Sequence, residues 1–212
     1  MKKRAIFLGS FNPPHKGHYE VIKSVLESNL MDLYIDKIHI IPCYQNPNKD
    51  KFDIPFIKRY QMVWFMFGDL IRQELVCPDD IEDNLKPHPI YTYELINWFK
   101  SGNDSCINKN KEGFWWIITT ETINELIEGK WKKSKKLLEE NNFIIVHKKG
   151  EDLSKYYEMI RTNKLLAFFV ELKNEYDFHS TELRNKIKGG ESIEEETNER
   201  VNWYIKDQNL YV

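Results

Sequence analysis

The residues best suited to chemistry lie together near the start of the chain, in Gly9-Ser10-Phe11-Asn12-Pro13-Pro14-His15-Lys16-Gly17-His18. They follow an apolar run of strand length and precede a segment with helical spacing. At such a turn the free N–H groups of the helix start, and its dipole, favour an anion. Gly9 removes a Cβ where a phosphate would approach, and Gly17 permits a tight start to the helix. His15 and His18 are three apart, so both rings can face one side. The combination predicts a phosphate clamp. Two imidazoles could instead ligate zinc, but no third Cys, His or acidic residue stands at a recognisable spacing. The plainer alternative is a Pro13-Pro14 turn carrying two solvated histidines; H-x-G-H at a strand-to-helix turn argues against it.

A loop of this kind must be held by a sheet. Apolar runs recur at 5–8, 38–41, 75–77, 114–118, 143–146 and 165–170. Between most of them lie segments with apolar residues three and four apart: Tyr19, Ile22, Val25 and Leu26; Met62, Phe65, Met66 and Leu70; Ile123, Leu126 and Ile127. Continuous rather than alternating strands, separated by helices, predict a parallel sheet covered on both faces. The expected class is therefore α/β, a single Rossmann-like, doubly wound parallel sheet with a small C-terminal helical portion over about 180–212. A polar, Asn/Lys-rich stretch at about 101–113 reads as a surface loop insertion. Gly189-Gly190 ends one helix, and Ser192 with Glu195 reads as a capping box opening a last helix through about Lys206.

The bulk properties narrow the class of function. With 212 residues, 41% hydrophobic and 30% charged, the chain can bury a core and solvate its surface, as one domain over 1–212. A net charge of −2 without a long basic tract lacks the signature of a protein that binds duplex nucleic acid, so no nucleic-acid partner is expected. No stretch approaches the roughly 18 apolar residues of a membrane span, and the first apolar run is too short for a signal peptide. Cys43, Cys77 and Cys106 are odd in number and form no C-x-x-C pair, which predicts reduced thiols in a cytoplasmic protein.

These motifs also carry a resemblance. G-S-F-N-P-P-H-K-G-H is similar to the G-x-F-[DN]-P-x-H-x-G-H signature of the nucleotidylyltransferase superfamily, in particular the nicotinate and nicotinamide mononucleotide adenylyltransferases. Phe178-His179-Ser180-Thr181-Glu182-Leu183-Arg184 resembles the second family motif, I-S-S-T-x-[IL]-R, with Phe and His replacing its leading Ile and Ser. Weaker similarities fill the interval: the loop from Pro42 to Lys49, Arg59-Tyr60-Gln61-Met62, Tyr91-Thr92-Tyr93-Glu94-Leu95, Leu126 to Trp131, and the closing stretch from Val201 to Tyr211. The resemblance spans essentially the whole chain.

It implies that the phosphate of a pyridine mononucleotide attacks the α-phosphorus of ATP, giving a dinucleotide and pyrophosphate. A phosphate monoester is already an oxyanion, so the task is alignment and charge neutralisation rather than activation of a nucleophile. The resemblance assigns catalysis to His18, His15 and Arg184. It assigns ATP binding to Gly9, Ser10, Phe11, Asn12, Gly17, Ser180, Thr181, Arg184 and Glu121, with the two histidines. The pyridine mononucleotide falls to Lys49, Thr92 and Trp131. Trp131 is the stacking candidate, a core aromatic being an equally good reading of it; Lys49 reads equally well as part of a solvated loop. Mg2+ is expected with ATP and needs no dedicated protein cage; NAD or deamido-NAD is the expected product-type ligand. Where the family shows G-[AS]-D, this chain has Thr119-Thr120-Glu121, which leaves the adenosine contacts open, and Lys148 stands where Arg is common.

Resemblance to bacterial-type enzymes favours nicotinate mononucleotide as the acceptor. The alternatives are nicotinamide mononucleotide, another H-x-G-H enzyme such as pantetheine-phosphate adenylyltransferase, and a nucleotide-binding regulator or chaperone on the same fold. A class I aminoacyl-tRNA synthetase fragment, suggested by Lys132-Lys133-Ser134-Lys135-Lys136, fits less well because that run reads as a solvated helix face. A homo-oligomer is compatible with all of this, and the sequence leaves the oligomeric state open.

Overall fold

The computed structural model describes residues 3–48, 51–85, 87–101, 114–176 and 178–212. β1 (Lys3–Gly9) leads to α1 (Lys16–Leu26) and α2 (Leu30–Leu33). β2 (Ile35–Pro42) precedes α3 (Phe56–Met66) and α4 (Gly68–Arg72), and β3 (Val76–Pro78) precedes α5 (Ile81–Asn84) and α6 (Thr92–Lys100). β4 (Trp115–Thr119) leads to α7 (Thr120–Ile127) and α8 (Ser134–Glu139), and β5 (Asn142–His147) to α9 (Ser154–Asn163). β6 (Ala167–Glu171) is followed by α10 (Ser180–Lys188) and α11 (Glu199–Asp207). Each strand coincides with one of the six apolar runs.

The six described strands form one sheet in the order β3-β2-β1-β4-β5-β6, with every pairing parallel. Strands 1 to 3 run outward in one direction and 4 to 6 in the other. The reversal lies between β1 and β4, which pair directly at Ala5–Trp115, Ile6–Trp116 and Phe7–Ile117. In an open parallel sheet the crevice beyond the carboxyl ends at this point is where ligands bind.

Alternate residues of each strand supply two cores. Ala5, Phe7, Ile38, Ile40, Trp115 and Ile117 pack beneath one helical layer, with Val21 and Val25 of α1, Met62 and Met66 of α3, and Val201 and Ile205 of α11. Ile6, Ile41, Trp116, Ile118, Phe143 and Ile145 face the other, with Leu95 and Phe99 of α6, Leu126 of α7 and Tyr156 of α9. Both faces are covered, which is why the strands read as unbroken apolar runs.

Two sequence expectations are corrected. The apolar spacing through Met62 and Leu70 suggests one helix, but the chain breaks at Phe67, separating α3 from α4. Nor does Ser192 open the last helix. Its Oγ accepts the Glu194 N–H within a tight turn, and the Glu196 and Thr197 N–H groups close back on Ile193. Asn198, three residues on from Glu195, is the real cap: its Oδ1 accepts the Val201 N–H while its Nδ2 donates to the Phe65 and Met66 carbonyls. Tertiary anchoring selects the later of two competent caps. Gly189 ends α10 and Gly190 takes φ +75°, as that pair of glycines predicts. Residues 102–113 of the expected loop insertion, with Cys106, lie outside the described residues.

Candidate active site

A cleft of about 1680 Å³ opens across the carboxyl ends of β1 and β4. Its lining includes every described residue that the sequence assigns to substrate except Thr92, which begins α6 and is not part of it; Lys49 lies outside the described residues.

At one corner of the cleft the H-x-G-H loop folds on itself. The His15 N–H donates to Nδ1 of His18 at 3.2 Å, and the two rings lie 3.8 Å apart between centroids. Accepting at Nδ1 leaves the neutral His18 ring its proton on Nε2, a donor suited to a phosphoryl oxygen. His18 is half-buried, resting on Phe11 at 4.9 Å and Phe7 at 6.4 Å. Gly17 sits tightly here: a Cβ would stand 3.0 Å from His15 Nδ1, and the ring would have to give way. At Gly9 the space beside the missing Cβ is occupied by the Phe11 ring, 2.9 Å from where that atom would lie, so this glycine admits an aromatic ring of the chain itself.

His15 is buried, and burial first, then the neighbouring His179, pull its pKa down to about 4. It enters the site as a neutral imidazole, so it adds no positive charge of its own. Its Nδ1 is buried without a partner among the described residues, a costly arrangement for a polar atom.

The second motif meets this loop across the fold. Arg184 on α10 donates from one guanidinium nitrogen to the Asn12 carbonyl at 2.8 Å and from the other to Thr181 Oγ1 at 3.0 Å. Ser180 Oγ donates to the Pro13 carbonyl at 3.0 Å. Two features without an assigned role in the sequence reading join them. The Tyr211 hydroxyl donates to Asn12 Oδ1 at 2.7 Å, and the wholly buried Arg59 donates to the Ser10 carbonyl at 2.8 Å. The loop carbonyls are thus drawn down into the protein, and the starts of α1 and α10 point at a common space.

Along the β4 flank, Thr119 caps α7 by accepting the Thr122 N–H at 3.4 Å. Its β-branched side chain is used for capping, and Glu121 on the first turn is exposed on the cleft wall. Trp131 is half-buried, packs on Trp116 at 6.1 Å and donates its indole N–H to Glu125 Oε2 at 2.8 Å. It therefore belongs partly to the core and partly to the cleft. Glu125 was not singled out by the sequence, although it stands one helical turn beyond Glu121 and so shares its face. Lys148, at the end of β5, also lines the cleft. Among the described residues no group of three His, Cys, Asp or Glu side chains could hold a metal ion.

The cytidylyltransferase-like family matches residues 6–186 of the chain. A Clostridium novyi protein named "Probable nicotinate-nucleotide adenylyltransferase" is 30% identical, over 100% of both chains. One of the same name from a Nitratiruptor species is 30% identical over 86% of this chain and 87% of its own. Among solved structures, the Plasmodium falciparum nicotinic acid mononucleotide adenylyltransferase complexed with NaAD is similar with a TM-score of 0.78 at 20% identity. That match covers 100% of this chain and 98% of the other, and it bears on the fold.

Proposed function

The chain belongs to the cytidylyltransferase-like family and, within it, to the nicotinate-nucleotide adenylyltransferases; from that premise we propose that it transfers the adenylyl group of ATP to nicotinate mononucleotide, releasing pyrophosphate and deamido-NAD. One observation carries this reading: two motifs more than 160 residues apart meet, with Arg184 and Ser180 bound to the carbonyls of Asn12 and Pro13. The mononucleotide phosphate, already ionised, attacks the α-phosphorus in line with the departing pyrophosphate. His18 donates from Nε2 to an α-phosphoryl oxygen as negative charge builds there. Arg184, Ser180 and Thr181, with the N–H groups at the starts of α1 and α10, hold the β and γ phosphates. The neutral His15 ring supports His18 and contributes hydrogen bonding to the triphosphate.

Trp131 stacks on the pyridine ring, and Lys49 meets the mononucleotide phosphate. Thr92, expected to contact the substituent on the ring, begins α6 outside the cleft lining and is given no contact in this reading. Gly9, Ser10, Phe11, Asn12, Gly17 and Glu121 complete the ATP side. Mg2+ would come coordinated by the triphosphate and neutralise part of its charge. Residues 1–212 act as one domain in the cytoplasm, free of nucleic acid and membrane; among the described residues no helix is long and apolar enough to cross a bilayer. Incubation with ATP, Mg2+ and nicotinate mononucleotide tests the reading: deamido-NAD and pyrophosphate should form in equal amounts, and the absence of both would reject it.

A further inference from the structure

Arg59, on the first turn of α3, is completely buried, yet it forms no ion pair with any described residue. Its guanidinium donates to four carbonyls: Ser10 at 2.8 Å, Cys43 at 2.7 Å, Tyr44 at 2.6 Å and Ile54 at 3.4 Å. These belong to two chain segments that both line the cleft. Ser10 is in the phosphate loop; Cys43, Tyr44 and Ile54 flank the segment after β2, whose residues Asn46, Lys51 and Phe52 also line the cleft. The guanidinium carbon lies 4.6 Å from the Phe52 ring centre and 5.7 Å from that of Phe56. Nearby, the buried Glu82 carboxylate accepts the Tyr44 N–H at 2.7 Å, so the Tyr44 backbone is held at both its polar groups.

The carbonyl and N–H of a trans peptide point in opposite directions. Holding the Ser10 carbonyl from below therefore turns the Phe11 N–H away from Arg59, towards the cleft that both residues line. Phe11 itself takes φ +45°, a left-handed conformation that is unfavourable for a residue with a Cβ and persists only when its surroundings impose it. Arg59 fixes the carbonyl before it and Arg184 the Asn12 carbonyl after it. Because a guanidinium is charged at every working pH, Arg59 also places a fixed positive charge under the loop.

We propose that Arg59 is a positioning residue for the transfer reaction: it turns the Ser10–Phe11 peptide towards the phosphates and ties the phosphate loop to the backbone of Cys43, Tyr44 and Ile54. This rests on the adenylyl-transfer reading, and the test separates the two.

Two variants are compared with the wild type, each at a temperature well below its own Tm and with near-UV circular dichroism confirming the fold. Arg59→Lys keeps the charge but cannot span all the carbonyls. Arg59→Met combined with Glu82→Gln removes both buried charges while keeping an acceptor for the Tyr44 N–H, which protects folding should the lysine variant fail. Both should bind Mg·ATP at least about fivefold more weakly by calorimetry. Both should also lose at least about tenfold in kcat, since misplacement of aligned groups is felt in the chemical step. A folded variant with wild-type Mg·ATP affinity and kcat overturns the proposal. If the wild type itself makes no dinucleotide, the adenylyl-transfer reading fails, and the calorimetry alone decides: weakened Mg·ATP binding supports the role of Arg59 and unaltered binding rejects it.

Discussion

The two ends of the cleft are built differently. At the phosphate corner, the carbonyls of Ser10, Asn12, Pro13 and Pro14 are gripped by side chains from α3, α10 and the segment around Thr197. At the β4 flank, Trp131 is held by near neighbours: Glu125 takes its indole N–H, and Ser134 bonds both its backbone N–H, at 3.0 Å, and its carbonyl, at 2.7 Å. The first corner is fixed by the whole fold and the second by one local turn. Transfer between two polyanions demands alignment at the phosphates, where small displacements are costly. Binding a flat ring needs only an apolar face and a few polar groups. Substitutions at the corner should therefore appear in kcat, and those on the flank in the KM of the acceptor.

The sharpest way to break this contrast is His18→Ala. With the proposed donor to the α-phosphate removed, kcat should fall by about 10²–10⁴-fold, while circular dichroism stays that of the wild type. Arg184→Ala should lower kcat by about 10²-fold by steady-state assay, because it removes both the proposed phosphate contact and the grip on Asn12. On the flank, Trp131→Ala should raise the acceptor KM by about tenfold and leave the KM for ATP within a factor of about two. A fall in kcat comparable to that of Arg184→Ala would erase the distinction.

The smallest effects concern stability and pH. His15 is held neutral in the fold, with a pKa of about 4, whereas in the unfolded chain it gains a proton below about 6.5. Its contribution is thus intact above pH 6.5 and is lost as pH falls towards 4, up to about 3 kcal/mol. His15→Asn should flatten this part of the Tm-against-pH curve. Glu82 behaves oppositely. Burial raises its pKa to about 7 despite the Tyr44 N–H and the nearby Arg59, so the native state is progressively penalised as pH rises from about 4.5 to 7. Glu82→Gln should therefore raise Tm at pH 8 and leave it nearly unaltered at pH 4. Equal shifts at both pH values would show that its ionisation does not govern stability.

Much of this arrangement is legible in the residues. Six apolar runs locate six strands because a doubly covered parallel sheet demands unbroken hydrophobicity. The two phosphate motifs announce themselves because their chemistry needs glycine, histidine and arginine at fixed offsets from helix starts. Arg59 is harder to read: nothing in Arg59-Tyr60-Gln61-Met62 says that a charged residue will be wholly enclosed, since its partners are backbone carbonyls that every sequence possesses. Gly9 is ambiguous for a similar reason, because a missing Cβ looks the same whether a phosphate or the Phe11 ring fills the space. The capping box at Ser192 fails because choosing between it and Asn198 depends on the Phe65 and Met66 carbonyls, which are brought there only by the tertiary fold.

The bonds from Ser180 to Pro13 and from Tyr211 to Asn12 span 167 and 199 positions of the chain. During synthesis, β1 and α1 therefore emerge long before the residues that complete the loop between them. Ordering that loop must wait for contacts of very large sequence separation, the slowest kind to form. A nascent chain can assemble much of its sheet while the phosphate corner is still unfinished, so nucleotide-binding competence should arise as one of the last events of folding.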